Sequence, residues 1–119
     1  MKSVRIINET NNTILAENGR TPITRKEGFI GLMGKKNFPQ SDALILMPCN
    51  CIHMLLVRFP IDVIFLDKNN KIVFILERFK PWRISPKIDE ACCVIELPAG
   101  TIVKTGTVKG AIIRLQRLP

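Results

Sequence analysis

Side chains able to do chemistry are concentrated in one stretch of the 119-residue chain, CNCIHMLLVRFPIDVIFLD at 49–67. Cys49, Cys51 and His53 alternate there, so a strand would put all three on one face, where two thiolates and an imidazole could serve as ligands to zinc. The spacing argues against a metal: alternate side chains on a flat strand lie about 7 Å apart, and structural zinc sites generally use C-x2-C knuckles. Cys92 and Cys93 are adjacent and would point to opposite faces of a strand, leaving only one of them able to complete such a site. We therefore read the cysteines as small core residues and His53 as hydrogen-bonded, and expect no metal and no cofactor.

Asp62 is the most informative single position. Ile61, Val63, Ile64, Phe65 and Leu66 surround it, and an ionised carboxylate in such company must find partners or become neutral. Two roles are open to it. In the preferred one it caps backbone N–H groups at the Phe59-Pro60 bend or pairs with Arg58 to hold the corner. In the other, His53, Arg58 and Asp62 converge on a pocket for an anionic or polar ligand, with His53 and Asp62 as the only candidates for acid–base work. No serine or cysteine nucleophile stands at a recognisable spacing from a base, and one histidine in the chain limits such chemistry. Lys80-Pro81-Trp82-Arg83 sets a tryptophan between cations. It either closes one end of the core or presents an interaction surface in which Trp82 and Arg83 join the candidate ligand-binding residues.

The elements that must position these residues are short. KSVRII at 2–7 and TILA at 13–16 flank an asparagine-rich turn and predict a first hairpin. Thr24-Arg25-Lys26-Glu27 has capping-box spacing and predicts a helix over about 25–34. A strand is expected at Ala43 to Met47. Ile52 to Val57 and Ile61 to Leu66 read as two strand runs broken at Pro60, which cannot donate to a sheet ladder. Asp67 to Lys71 is a polar turn leading to Ile72 to Glu77, so Val63 to Leu66 should form a hairpin with Ile72 to Ile75. Residues 79–91 read as a loop, and Cys92 to Leu97, Thr101 to Lys104 and Ala111 to Leu115 as three further strands. Eight or nine short strands with one helix describe a mostly β, antiparallel sandwich or barrel.

The chain resembles domain of unknown function family 192, a set of small prokaryotic domains. The likeness is carried by Gly31-Leu32-Met33, Ile52-His53, Arg58 to Asp67 and Glu96-Leu97-Pro98-Ala99-Gly100, and spans roughly residues 28–115. Met54, Val57 and Ala111 depart from the family's pattern, which weakens any ligand role resting on side chains at 54 or 111. The resemblance implies a compact β-sandwich of jelly-roll type and no known activity.

At this length one domain over 1–119 is expected, burying roughly 65% of its unfolded surface. The opening Met-Lys-Ser-Val-Arg lacks an apolar signal core, and no apolar run reaches the roughly 18 residues of a membrane span. A cytoplasmic protein with reduced thiols is the expectation. The net charge of +8 is spread: residues 1–36, 37–67, 68–90 and 91–119 carry net +4, −2, +3 and +3. The central stretch is thus mildly acidic, unlike a phosphate-tracking groove, and with no tyrosine and one tryptophan there are few stacking platforms. Nucleic acid is therefore not an expected partner, except weakly through dispersed charge. We expect a non-catalytic accessory module that binds a small ligand or a protein through the loops beside Arg58 to Asp62 and Lys80 to Arg83. The alternative is a hydrolase-type enzyme using His53 and Asp62, with or without zinc.

Overall fold

The computed structural model describes residues 3–21 and 35–118. Seven strands, β1 (Ser3–Asn8), β2 (Thr13–Arg20), β3 (Asp42–Leu46), β4 (Ile61–Leu66), β5 (Ile72–Phe79), β6 (Cys93–Pro98) and β7 (Ile113–Arg117), form one sheet in the order β5-β4-β6-β3-β2-β1-β7. All neighbours are antiparallel except β2 and β3. The sheet curls until its two edges meet at one corner. There Lys71 bridges Ile112, the Ile72 N–H donates to the Ala111 carbonyl and the Ile113 N–H to that of Asn70, each at 2.9 Å. Among the described residues the result is a curled half-barrel of seven strands, where eight or nine were expected.

Both expected hairpins are present, β1 with β2 and β4 with β5, the latter pairing Ile64 with Ile75 and Phe65 with Phe74. The turn of the second is held by Asp67, whose Oδ1 accepts the N–H groups of Asn69 at 2.8 Å and Lys71 at 3.0 Å. Those two bonds hold its carboxyl below the usual carboxylate range.

Inside the curl every strand contributes to one core, from Ile6 and Ile45 through Ile64, Ile95 and Leu97 to Ile113. A second core lies on the outer face of β4 and β6, where Ile61, Val63, Phe65 and Val94 pack against Ile52, Met54, Val57 and Ala91. β4 and β6 are therefore buried along their whole length, which is why both read as nearly unbroken apolar runs. The jelly-roll sandwich expectation, drawn from the strand count and the family resemblance, calls for a second layer over these strands. That layer exists, but it is made of loops.

Two expected strands are corrected. Ile52 to Val57 forms no strand beyond one bridge, His53 to Ile84. Leu56 takes φ 62° and the Val57 N–H turns back to the Met54 carbonyl, so the apolar run breaks after one pairing. Thr101 to Lys104 belongs to a helix, α1 (Thr101–Thr105), despite its β-branched residues. The helix expected over 25–34, with Gly31-Leu32-Met33, lies outside the described residues.

Candidate functional site

Asp62 lies on β4 opposite Leu97 of β6 and is 1% exposed. Strand alternation sends its side chain to the inner face with Ile64 and Leu66, at the end of the half-barrel that α1 covers. Its Oδ1 accepts the Arg78 N–H at 2.9 Å, and its Oδ2 accepts those of Gly100 at 3.1 Å and Ile102 at 2.8 Å. Gly100 begins α1 and has no side chain to cap it, so a carboxylate reaching across from β4 satisfies the free donors of the first turn. The same carboxylate secures Arg78, whose φ is 49°. Asp62 thus caps backbone donors, as preferred from the sequence, but on β5 and α1 rather than at the Phe59-Pro60 bend. Arg58 is not among its partners: it is exposed, and the ion pairs among the described residues are Arg5–Glu17, Arg20–Asp42 and Arg114–Glu9.

His53 is on the other side of the sheet. Residues 49–54 run antiparallel to 82–88 over the outer core. The Met54 N–H donates to the Arg83 carbonyl at 2.7 Å, the Trp82 N–H to that of Met54 at 2.9 Å, the Ser85 N–H to that of Ile52 at 2.8 Å and the Ile88 N–H to that of Asn50 at 2.9 Å. The buried Ser85 hydroxyl accepts the Ile52 N–H, and His53 Nδ1 accepts that of Leu55 at 3.2 Å. The sheet therefore stands between His53 and the Asp62 carboxylate, and the two do not converge on one point. Cys49 Sγ donates to the Cys51 carbonyl and Cys51 Sγ to that of Ser85. Among the described residues no group of three histidine, cysteine or acidic side chains could hold a metal ion. Burial, reinforced by Cys92 and Cys49 nearby, pushes the Cys93 thiol up to about 12 and keeps it protonated.

The loop ribbon does bring together residues far apart in sequence. Leu55 and Leu56 occupy a turn beside Trp82 and Ile84, and all four are exposed, Trp82 by 63% and Ile84 by 68%. The same loops carry the exposed cations Arg58, Lys80, Arg83 and Lys87, with no Asp or Glu in 54–60 or 79–87, whereas the Arg78 guanidinium lies against Gly100 at the start of α1. The β4–β5 register, Ile61 to Phe79, sets the Arg58 bend beside Lys80. Leu56, Arg78 and Trp82 all have positive φ, at 62°, 49° and 64°. For bulky residues this is a cost that persists only where surrounding structure imposes it, and it recurs at functional surfaces.

Leu55, Leu56 and Ile84 were not singled out from the sequence: the two leucines fell in an expected strand, Ile52 to Val57, and Ile84 in an expected loop, 79–91. Glu96 was missed as well. On β6 it is 6% exposed, on the face shared with Val94, and burial pushes its carboxyl up to about 8. A single carboxylate in the apolar run CCVIELP carried the same signal that drew attention to Asp62.

A curled half-barrel capped by one helical turn and carrying its exposed features on an outer loop ribbon defines a small β domain with a loop-borne surface. The chain belongs to the DUF192 family, described as Uncharacterized ACR, which it matches over residues 5–115. No protein of curated function matches it. Two solved structures share its fold. One is a protein of unknown function from Novosphingobium aromaticivorans DSM 12444, 18% identical, with a TM-score of 0.79 over 94% of this chain and 83% of that one. The other is a proposed transcription regulator from Sinorhizobium meliloti 1021, 20% identical, with a TM-score of 0.80 over 96% of this chain and 92% of that one.

Proposed function

We propose that the chain is a non-catalytic binding module, acting in the cytoplasm as one domain, whose recognition surface is the loop ribbon carrying Leu55, Leu56, Arg58, Trp82, Arg83 and Ile84. The observation that carries this is composition at one place: four exposed large apolar side chains on loops that also carry four exposed cations, Arg58, Lys80, Arg83 and Lys87. Tryptophan and arginine dominate the energetics of recognition surfaces, and a rigid scaffold with exposed loops is the usual way to present them. In this account Asp62 contributes by holding Arg78 and α1 in place beneath the ribbon. His53 contributes through the loop it organises. Hydrolase chemistry would need His53 and Asp62 on one side of the sheet, and the geometry gives it no support.

The test is photo-crosslinking in cells that express the chain, with a photoreactive amino acid at the positions of Leu55 and Ile84 and, as controls, at the equally exposed Ile14 and Val108. Adducts at 55 and 84 and none at 14 and 108 are expected. The same adducts from all four positions, or none from 55 and 84, would remove the loop ribbon as the recognition surface.

A further inference from the structure

Resting on the recognition surface just proposed, we infer that its partner is a bilayer surface rich in anionic headgroups, onto which the ribbon docks with Leu55, Leu56, Trp82 and Ile84 entering the interface. Leu55 and Leu56 are consecutive residues of a tight turn, with Leu56 in the left-handed region. A fluid apolar medium accommodates them without complementarity. Ile84 is paired to His53 across the ribbon and Trp82 to Met54, which puts all four apolar side chains on one strip of loop.

Charge points the same way. Arg58, Lys80, Arg83 and Lys87 are one-signed, so the surface that meets them must be negative. Among the acidic residues that flank the patch in sequence, Glu77 lines a groove beside α1 with Ile102 and Val103, and Asp89 and Glu90 follow Lys87 at its far end. An indole flanked by cations is the composition of an interfacial anchor, with the ring at headgroup depth and Arg and Lys on the phosphates. The net charge of +8 adds long-range attraction to any anionic surface. The described residues include no helix long and apolar enough to cross a membrane, so docking would be peripheral.

Trp82 is the only tryptophan, and there is no tyrosine, so the protein's own emission reports on the patch. Titration with vesicles of phosphatidylglycerol and phosphatidylcholine in equal parts should shift Trp82 emission to the blue and sediment the protein. Phosphatidylcholine vesicles alone should do neither, and high salt should release the bound protein. Arg83→Gln and Lys80→Gln should each weaken binding roughly fivefold. Leu55→Ser with Ile84→Ser should reduce the blue shift, whereas Val103→Ser with Val108→Ser, exposed elsewhere, should change nothing. All these side chains are exposed, and unchanged urea melts would show that the variants fold. Sedimentation without an emission shift, equal binding to neutral vesicles, or a duplex DNA that binds as tightly as the anionic vesicles would overturn the assignment. If vesicles fail while Leu55 and Ile84 still crosslink to a protein, the bilayer is wrong and the recognition surface stands. Failure of both would remove the surface as well.

Discussion

Asp62 uses both carboxylate oxygens on three backbone N–H groups from two elements, and an amide can replace only part of that set. Asp62→Asn keeps one accepting oxygen and turns an NH2 group toward donors already present, so it should destabilise the protein by about 2–4 kcal/mol in urea melts. Arg58 is exposed and takes no part, so Arg58→Leu should lie within about 0.5 kcal/mol of the parent, and the double variant should show the sum of the two effects. A double variant losing less than that sum would reinstate an Arg58–Asp62 pair. Glu96 makes a second residue-scale prediction. Its folded carboxyl titrates near 8 and is protonated at neutral pH, whereas in the unfolded chain it ionises at the ordinary value of about 4.5. The unfolded state therefore releases this proton first as pH rises. Stability contributed by Glu96 is full below about 4.5 and is lost as pH climbs through 8, a decline on the order of 3–5 kcal/mol. Glu96→Gln should flatten that decline and be the more stable protein at pH 8, as read from unfolding midpoints across the range.

At the scale of elements, α1 shows what a short helix with poor local propensity needs in order to exist. Its first residues, Thr101, Ile102 and Val103, are β-branched and would suit a strand. Three features outweigh them: Gly100 at φ 95° turns the chain, Asp62 caps the first turn, and Gly106 at φ 63° sends its N–H back to the Val103 carbonyl. Ile102 is thereby delivered into the inner core at 3% exposure. Gly100→Ala would force a Cβ into the left-handed region at the position that also donates to Asp62, and should cost about 1–2 kcal/mol. The loss should be smaller in an Asp62→Asn background, because both changes act on the same turn. A calorimetric melt of the two single variants and the double variant measures that coupling.

For the molecule as a whole, the consequence of one curled sheet with a loop layer outside it is that β4 separates two cores. Ile64 and Phe65 are successive residues, both fully buried, the first in the inner core and the second in the outer one, where it meets Phe74 edge-on with ring centres 5.5 Å apart. In a half-exposed sheet one of two successive positions would tolerate truncation. Here Ile64→Ala should cost about 2–5 kcal/mol and Phe65→Ala about 3–5 kcal/mol, while truncating Trp82, whose ring is mostly in solvent, should stay within about 0.5 kcal/mol. A Phe65→Ala protein as stable as its parent in urea would mean that the loop ribbon does not pack on the sheet. The contrast also separates roles: the apolar residues under the ribbon hold the fold, and those on top of it are available for contact.

What the sequence determined by itself is local or compositional. The β1–β2 and β4–β5 hairpins follow from asparagine-rich turns between alternating runs, and the buried, hydrogen-bonded state of Asp62 follows from its apolar neighbours alone. Membership of the family is legible in Arg58 to Asp67 and in Glu96 to Gly100. Tertiary structure decided which groups answer Asp62, because the Ile102 N–H lies 40 residues away and no periodicity relates the two. It also decided that Thr101 to Thr105 is a helix and that Ile52 to Val57 is a turn with one bridge, since a cap from β4 and hydrogen bonds from Arg83 and Ser85 override intrinsic propensity there. The exposed strip of Leu55, Leu56, Trp82 and Ile84 was illegible for the same reason. Its two halves are more than 20 residues apart, and only the pairing of the two loops over the outer face of β4 and β6 makes them one surface.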